Sequence, residues 1–148
     1  MPDLNYLLGN SYATSWKGKP PHMLPIDVPV WHDFLDKHAE DYLHFYYDVA
    51  LTTKPKPPDL PPGSMMTMWK KSFGKRIDAV AEMRNSVHII EVTERAFLRS
   101  LGQILVYTEL WRIDPPIKKP FLPYIVCRII DEDVLWTCEA YGVNFLLV

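Results

Sequence analysis

The stretch KRIDAVAEMRNSVHIIEVTE, residues 75–94, holds two apolar runs separated by the polar triplet RNS, and each run carries one carboxylate. "KRIDAVAEM" and "VHIIEVT" have the composition of strands and the triplet that of a tight turn, so the segment predicts a β-hairpin. Successive side chains of a strand point to opposite faces. Arg76, Asp78, Val80 and Glu82 therefore share one side of the first strand, with Ile77, Ala79 and Ala81 on the other. In the second strand Val87, Ile89, Glu91 and Thr93 lie opposite to His88, Ile90 and Val92. An acid in such company costs free energy unless a cation or a bound metal pairs with it. Asp78 and Glu91, on neighbouring strands, could reach a common divalent ion through oxygen ligands. The plainer alternative is two strand-end acids bonded to Arg76 or Arg95.

Downstream, residues 94–112 place Phe97, Leu101, Ile104, Leu105, Thr108 and Trp111 on one helical stripe, and "DPPIKKP" ends that helix. "FLPYIVCRII" has the continuous apolar character of a strand covered on both faces. "DEDVLWTCEAYG" predicts a short helix closed by Gly142, and "VNFLLV" a final strand. Gly102 inside the long helix costs about 1 kcal/mol relative to Ala, which implies close approach of another backbone or a ligand, packing being the simpler explanation.

Upstream, "MMTMWKKSF", residues 65–73, reads as a strand, and "TTKPKPPDLPPGS", residues 52–64, with five prolines in thirteen residues, as a linker. Trp31, Phe34, Leu35, His38, Tyr42, Phe45, Tyr46 and Val49 follow the helical period and predict one amphipathic helix, started by Asp27 and Pro29. His32, His38 and His44 fall six apart, so their side chains diverge and make no metal set. Residues 1–30, with prolines at 2, 20, 21, 25 and 29 and anchors at Tyr6, Tyr12 and Trp16, predict an extended arm. Such an arm is held by its own domain or by another chain, and deletion of residues 1–28 is expected to leave a folded domain. The predicted order is arm, α, β, β, β, α, β, α, β.

With 148 residues, 48% hydrophobic and 23% charged, the chain suits one domain, residues 31–148, carrying the linker within it and preceded by the arm. No apolar run is long enough to span a bilayer and the amino terminus lacks a secretory pattern, so an intracellular protein with no membrane contact is expected. Cys127 and Cys138 lack metal or redox spacing and read as buried thiols. The formal charge of −2 excludes broad, non-specific binding of phosphate backbone. Residues 1–66 hold five Lys/Arg against eight Asp/Glu, so any nucleic-acid face is local. Lys70, Lys71, Lys75 and Arg76 form the best cluster, although a solvated strand end is commoner.

Together, "RIDAVAE", "HIIEVT" and "LGQILVYTELW" resemble the motif core of the PD-(D/E)XK nuclease superfamily, and the likeness extends over residues 31–148 in element order. It implies a restriction-endonuclease-like α/β fold with a mixed central sheet. By that likeness Asp78 and Glu91 occupy the Mg²⁺-ligand positions, Gln103 and Tyr107 the Q-x-x-x-Y positions, and Glu40 the place of an additional acid on the preceding helix. Thr93 stands where the family carries its catalytic lysine. Loss of a preorganised donor typically costs about two to three orders of magnitude in rate. Lys70, Lys71 or Arg95 are the neighbours that would have to substitute, Arg95 poorly because a guanidinium does not titrate. The resemblance thus implies a catalytically degenerate nuclease fold, without a cofactor, docking protein partners through the arm in a larger oligomeric assembly such as a tailed-phage virion. The alternative is an active Mg²⁺-dependent DNA endonuclease or exonuclease with a displaced lysine, and DNA as its partner.

Overall fold

The computed structural model describes residues 2–148, so Met1, at the start of the expected arm, lies outside the described residues. Two short strands, β1 (Asn5–Leu7) and β2 (Ser11–Tyr12), precede helix α1 (Val28–His38) and a 3-10 turn (Ala39–Asp41). There follow β3 (His44–Thr52), α2 (Ser64–Phe73), β4 (Lys75–Glu82), β5 (Val87–Val92), β6 (Arg95–Ala96) and α3 (Leu98–Ile113). The chain ends with β7 (Phe121–Cys127), β8 (Ile129–Ile130), α4 (Glu132–Tyr141) and β9 (Asn144–Leu147). A mixed sheet runs in the order β1-β3-β4-β5-β7-β9, with β2 also on β3, and β6 pairs with β8 in a small second sheet. β4 pairs antiparallel with β3 on one side and β5 on the other, whereas β7 and β9 join in parallel after α3 and α4 have crossed over. The path α1-β3-β4-β5-α3-β7-α4-β9 is the restriction-endonuclease-like order, with α2 inserted. Among the described residues, no helix is long and apolar enough to cross a membrane.

Two elements correct the sequence reading. The helix expected from Trp31 to Val49 ends at His38, and residues 44–52 form β3 instead. β3 lies inside the sheet and is buried on both faces for most of its length, so it shows no alternation. Its aromatic positions fell on a helical stripe by coincidence, and tertiary pairing with β4 decides the matter. Residues 65–73, expected as a strand, are helical in α2. The unbranched Met and Lys side chains there favour helix, and Gly63 and Gly74 bound it. Gly74 is needed for space: a Cβ would stand 2.5 Å from the Lys70 carbonyl oxygen and 3.0 Å from the Ala50 Cβ. The proline-rich stretch between β3 and α2 has no regular structure beyond Thr52 and Ser64 at its ends, as its composition implies.

Residues 2–27 form β1, β2 and a series of turns laid against the chain's own sheet, and α1 begins at Val28, inside the segment expected as an arm. β1 and β2 pair antiparallel with β3. Tyr12 and Trp16 pack on Tyr47 at ring-centroid distances of 5.0 and 5.8 Å, and Met23 is buried.

The sheet separates two cores. α3 and α4 cover one face with Ile104, Trp111, Val134 and Cys138, and α1 covers the other with Trp31, Phe34 and Leu35. Val49, Leu51 and Ile77 belong to the α3 side, while Tyr47, Ala79 and Ala81 belong to the α1 side. Residues two apart should share a face, so the pleat reverses at Asp48 and Asp78. Asp48 has a left-handed φ of 56° at that point.

Candidate active site

The β4–β5 ladder pairs Glu82 with Val87 through to Ala79 with Ile90 and then stops. One step further along the same register, Asp78 faces Glu91. Directly opposed residues of an antiparallel pair have Cβ atoms about 5 Å apart, so two carboxyls there must meet. They do: Asp78 and Glu91 are in hydrogen-bonding contact, and the Val92 N–H donates to Asp78 Oδ2 at 2.8 Å. The side chain of Asp78 thus satisfies a backbone donor where the pairing ends.

Glu91 is only 4% exposed. Burial, and then the neighbouring Asp78 charge, push its carboxyl up to about 11. Asp78 is also raised by burial, offset in part by the hydrogen bonds from Glu91 and the Val92 N–H. Like charges in contact cannot both ionise cheaply, so one proton is held between them, on Glu91.

A third carboxylate approaches from the amino-terminal segment. Asp27 stands at the start of α1 but makes no side-chain cap to that helix; its Oδ1 instead accepts the Glu94 N–H at 3.0 Å. Burial raises its pKa, opposed by that backbone bond. Glu40, the acid expected from the preceding helix, is exposed on the 3-10 turn and does not line the cavity. Its place near the site is taken by Asp27.

The three acids floor an open cavity of about 440 Å³. Thr93 and Arg95 extend its wall beyond β5, Arg99, Ser100 and Gln103 descend from α3, and His22 and Leu24 close the arm side. His22 adopts a left-handed φ of 67°, next to the buried Met23. The Arg99 charge acts on Glu91 in the direction that favours ionisation. Among the described residues, no lysine lines this cavity. Lys71 instead lies 3.9 Å from Asp48 Oδ2, where Arg76 already binds the same carboxylate through two 2.6 Å hydrogen bonds. Thr93 turns its hydroxyl to the Arg95 carbonyl oxygen at 3.0 Å.

Gln103 lines the acidic cavity and also an adjoining one, and it is within hydrogen-bonding reach of the Tyr107 hydroxyl. Tyr107 is buried and reaches only the adjoining cavity; burial, then Glu91 and Asp78, raise its pKa. Of the residues singled out in the sequence, Asp78, Glu91, Thr93 and Gln103 therefore meet in one place, with Tyr107 behind them. Among the described residues, no group of three His, Cys, Asp or Glu side chains converges closely enough to hold a metal ion.

Three titratable lining residues escaped the sequence reading as site members. Arg99 stands four residues before Gln103, one helical turn away on the same face, so a helical projection from Gln103 would have found it. Asp27 looked like an ordinary helix start, and His22 sits in a proline-rich segment with no period. Nothing local tied either one to strands more than fifty residues away.

No protein-family model matches the chain, and no curated protein matches it. Among solved structures, a repair endonuclease from Pyrococcus abyssi aligns with 51% of this chain and 33% of its own, at 18% identity and a TM-score of 0.45. A third of that protein's length is covered, and the similarity at this level says nothing of activity.

Proposed function

We propose that this chain is a nuclease-type domain that has given up efficient phosphodiester hydrolysis and acts as an interaction module, keeping its carboxyl cavity as a binding site. The observation that carries this reading is the lining of the cavity: two contacting carboxyls with no lysine amine among the described residues beside them. Hydrolysis needs a cation next to the attacking water as charge builds on the phosphoryl oxygens. Here the threonine at that position is bonded to backbone, and the cations at hand are guanidinium groups, which hold their protons.

On the active reading the carboxyls would take magnesium, which is held through one or two carboxylates and keeps several waters. Asp78 and Glu91 would hold it, and it would supply Lewis acidity toward a phosphate oxygen. Asp27, on the Glu94 N–H, would fix the end of β5 behind them. Docking of a protein partner belongs to the same proposal: β1 forms one edge of the sheet, so the arm offers a free strand edge to a neighbour in a larger assembly.

The second reading, an active metal-dependent deoxyribonuclease, draws on Arg99 over Glu91 and on Lys75, which lines the adjoining cavity. Plasmid nicking in Mg²⁺ or Mn²⁺ separates the two. The expected result is no nicking above background by the wild type and measurable nicking by Thr93→Lys, lost again in Thr93→Lys combined with Asp78→Ala. Nicking by the wild type that Asp78→Ala and Glu91→Ala abolish would overturn the inactive reading.

A further inference from the structure

Helix α2 is docked with a polar side inward and an apolar side outward. Lys71 turns in toward Asp48, while Met65, Met68 and Phe73 face solvent, Met68 being 67% exposed. None of its ten residues is buried. Met65, Trp69 and Phe73 fall four apart and so form one stripe, with the Trp69 and Phe73 ring centroids 6.1 Å apart. A helix this short is marginal in water by itself, and an outward apolar stripe is a surface that association covers. The charge around it is also distinctive. Residues 53–76 hold six Lys/Arg against one Asp/Glu, so the rest of the chain holds ten against seventeen. Lys54 lies over the Phe73 ring at 5.2 Å, placing that charge on the rim of the stripe. Lys54, Lys56, Lys70 and Lys75 make no ion pair among the described residues.

Helix α4 carries the counterpart. It buries Val134 and Cys138 and turns Trp136 the other way, 70% exposed, although tryptophan is a residue that folding ordinarily covers. Glu132 and Asp133, one turn before Trp136, and Glu139, one turn after, share its face. All three are exposed and make no ion pair among the described residues. Residues 131–141 hold four Asp/Glu and no Lys/Arg. One copy cannot bring the two faces together. α2 packs on β1 and β3, α4 packs on β9, and β1 and β9 are the two ends of the sheet. Six strands spaced by about 4.8 Å put those ends about 24 Å apart.

We propose that the occupant of the α2 face is the α4 face of a second copy of this chain, with Met65, Met68 and Trp69 against Trp136 and the lysine rim on Glu132, Asp133 and Glu139. Methionine adapts its shape to a neighbouring ring, and the opposite charges fix orientation and exclude like faces. An anionic bilayer would answer α2 but would repel α4 and leave its tryptophan bare. The contact is head-to-tail, so each copy keeps one face of each kind open and growth continues as a ring or an open row. The assignment rests on the reading above that the chain is an interaction module, and it names the partner; it does not depend on what the carboxyl cavity does.

Sedimentation velocity of the intact chain tests it. Wild type should form species larger than a monomer as concentration rises toward about 0.2 mM, and should revert to monomer when salt is raised from about 0.05 to about 0.5 M. Met68→Glu and Trp136→Ala alter exposed positions, so both should melt like wild type, and each alone should associate at least about tenfold more weakly. Mixed in equal amounts they should form a dimer and nothing larger, because each supplies one intact face. A monomeric wild type, either variant assembling as wild type does, or a mixture that stays monomeric overturns the contact. A wild type that is monomeric alone and sediments with phosphatidylserine vesicles overturns it in favour of a lipid surface. Assembly by a wild type that also nicks plasmid supports the contact and overturns only the inactive reading.

Discussion

Asp48 and Asp78 face one another across β3 and β4, where the pleat reverses, and they meet different fates. Asp48 is paired with Arg76, a buried charge fully answered. Among the described residues Asp78 has no ion-pair partner, and it contacts the protonated Glu91. Removing Arg76 would strand a carboxylate that is 3% exposed, with only Lys71 nearby, and Arg76→Ala should cost about 3 kcal/mol, measured from urea unfolding at neutral pH. A cost below about 0.5 kcal/mol would show that water or Lys71 takes over. Glu82, at the far end of β4, carries the pH dependence. Burial tends to raise its pKa, but hydrogen bonds from Lys119 and His44 outweigh that and hold it below its ordinary value of 4.5. A depressed folded pKa gives stability that is present above the unfolded value and is lost as pH falls through the folded one. Wild type should therefore lose more stability than Glu82→Gln between about pH 5 and pH 3, read as the shift in urea midpoint. Equal losses would remove Glu82 from the account. At this scale Asp78, Glu91, Thr93 and Gln103 were legible because strand alternation and a helical turn are local rules. Asp27 was not, since it reaches the cavity only through a bond to the Glu94 N–H.

Among the elements, the hairpin β4–β5, helix α3, strand β7 and helix α4 follow their local patterns closely. α4 has both its signals in sequence: Asp131 accepts from the Asp133 and Val134 N–H groups, and Gly142 takes a left-handed φ of 71°. β3 and α2 do not follow theirs. An interior strand buried on both faces lacks the asymmetry on which periodicity depends, and α2 is a ten-residue helix with no buried residue, too short a run for its spacing to be told from a strand's. The amino-terminal segment shows the same limit. Its prolines forbid long helix and central strand, but composition does not say what it lies against. It pairs with β3, covers Tyr47 and places His22 and Asp27 in the cavity. Deletion of residues 1–28 should therefore expose the edge of β3 and the Trp31 cluster, giving an aggregated or non-cooperatively melting product rather than the folded domain that proline content suggests. A soluble truncation with a single sharp melting transition would reverse this.

On the scale of the whole molecule, two cores lie on opposite faces of one sheet, one built on Trp31 and the other on Trp111. Because β3, β4 and β5 contribute side chains to both, neither core can melt alone without tearing the shared strands. Far-UV circular dichroism and tryptophan fluorescence should give coincident urea midpoints; separated midpoints would mean that the faces unfold independently. The cavity over the carboxyl pair also exists only at this scale, where the end of the hairpin, the face of α3 and a turn of the amino-terminal segment meet. Amino-acid order by itself determined the hairpin, its two carboxylates, the helices that follow, and the threonine where the resembling family has lysine, because each depends on neighbours one pleat or one turn away. Tertiary structure alone decided that β3 is a strand, that the arm folds onto its own sheet, and that Asp27 and His22 join the cavity. Those outcomes depend on which backbone donors and apolar faces find each other across the fold, and no local pattern encodes such pairings.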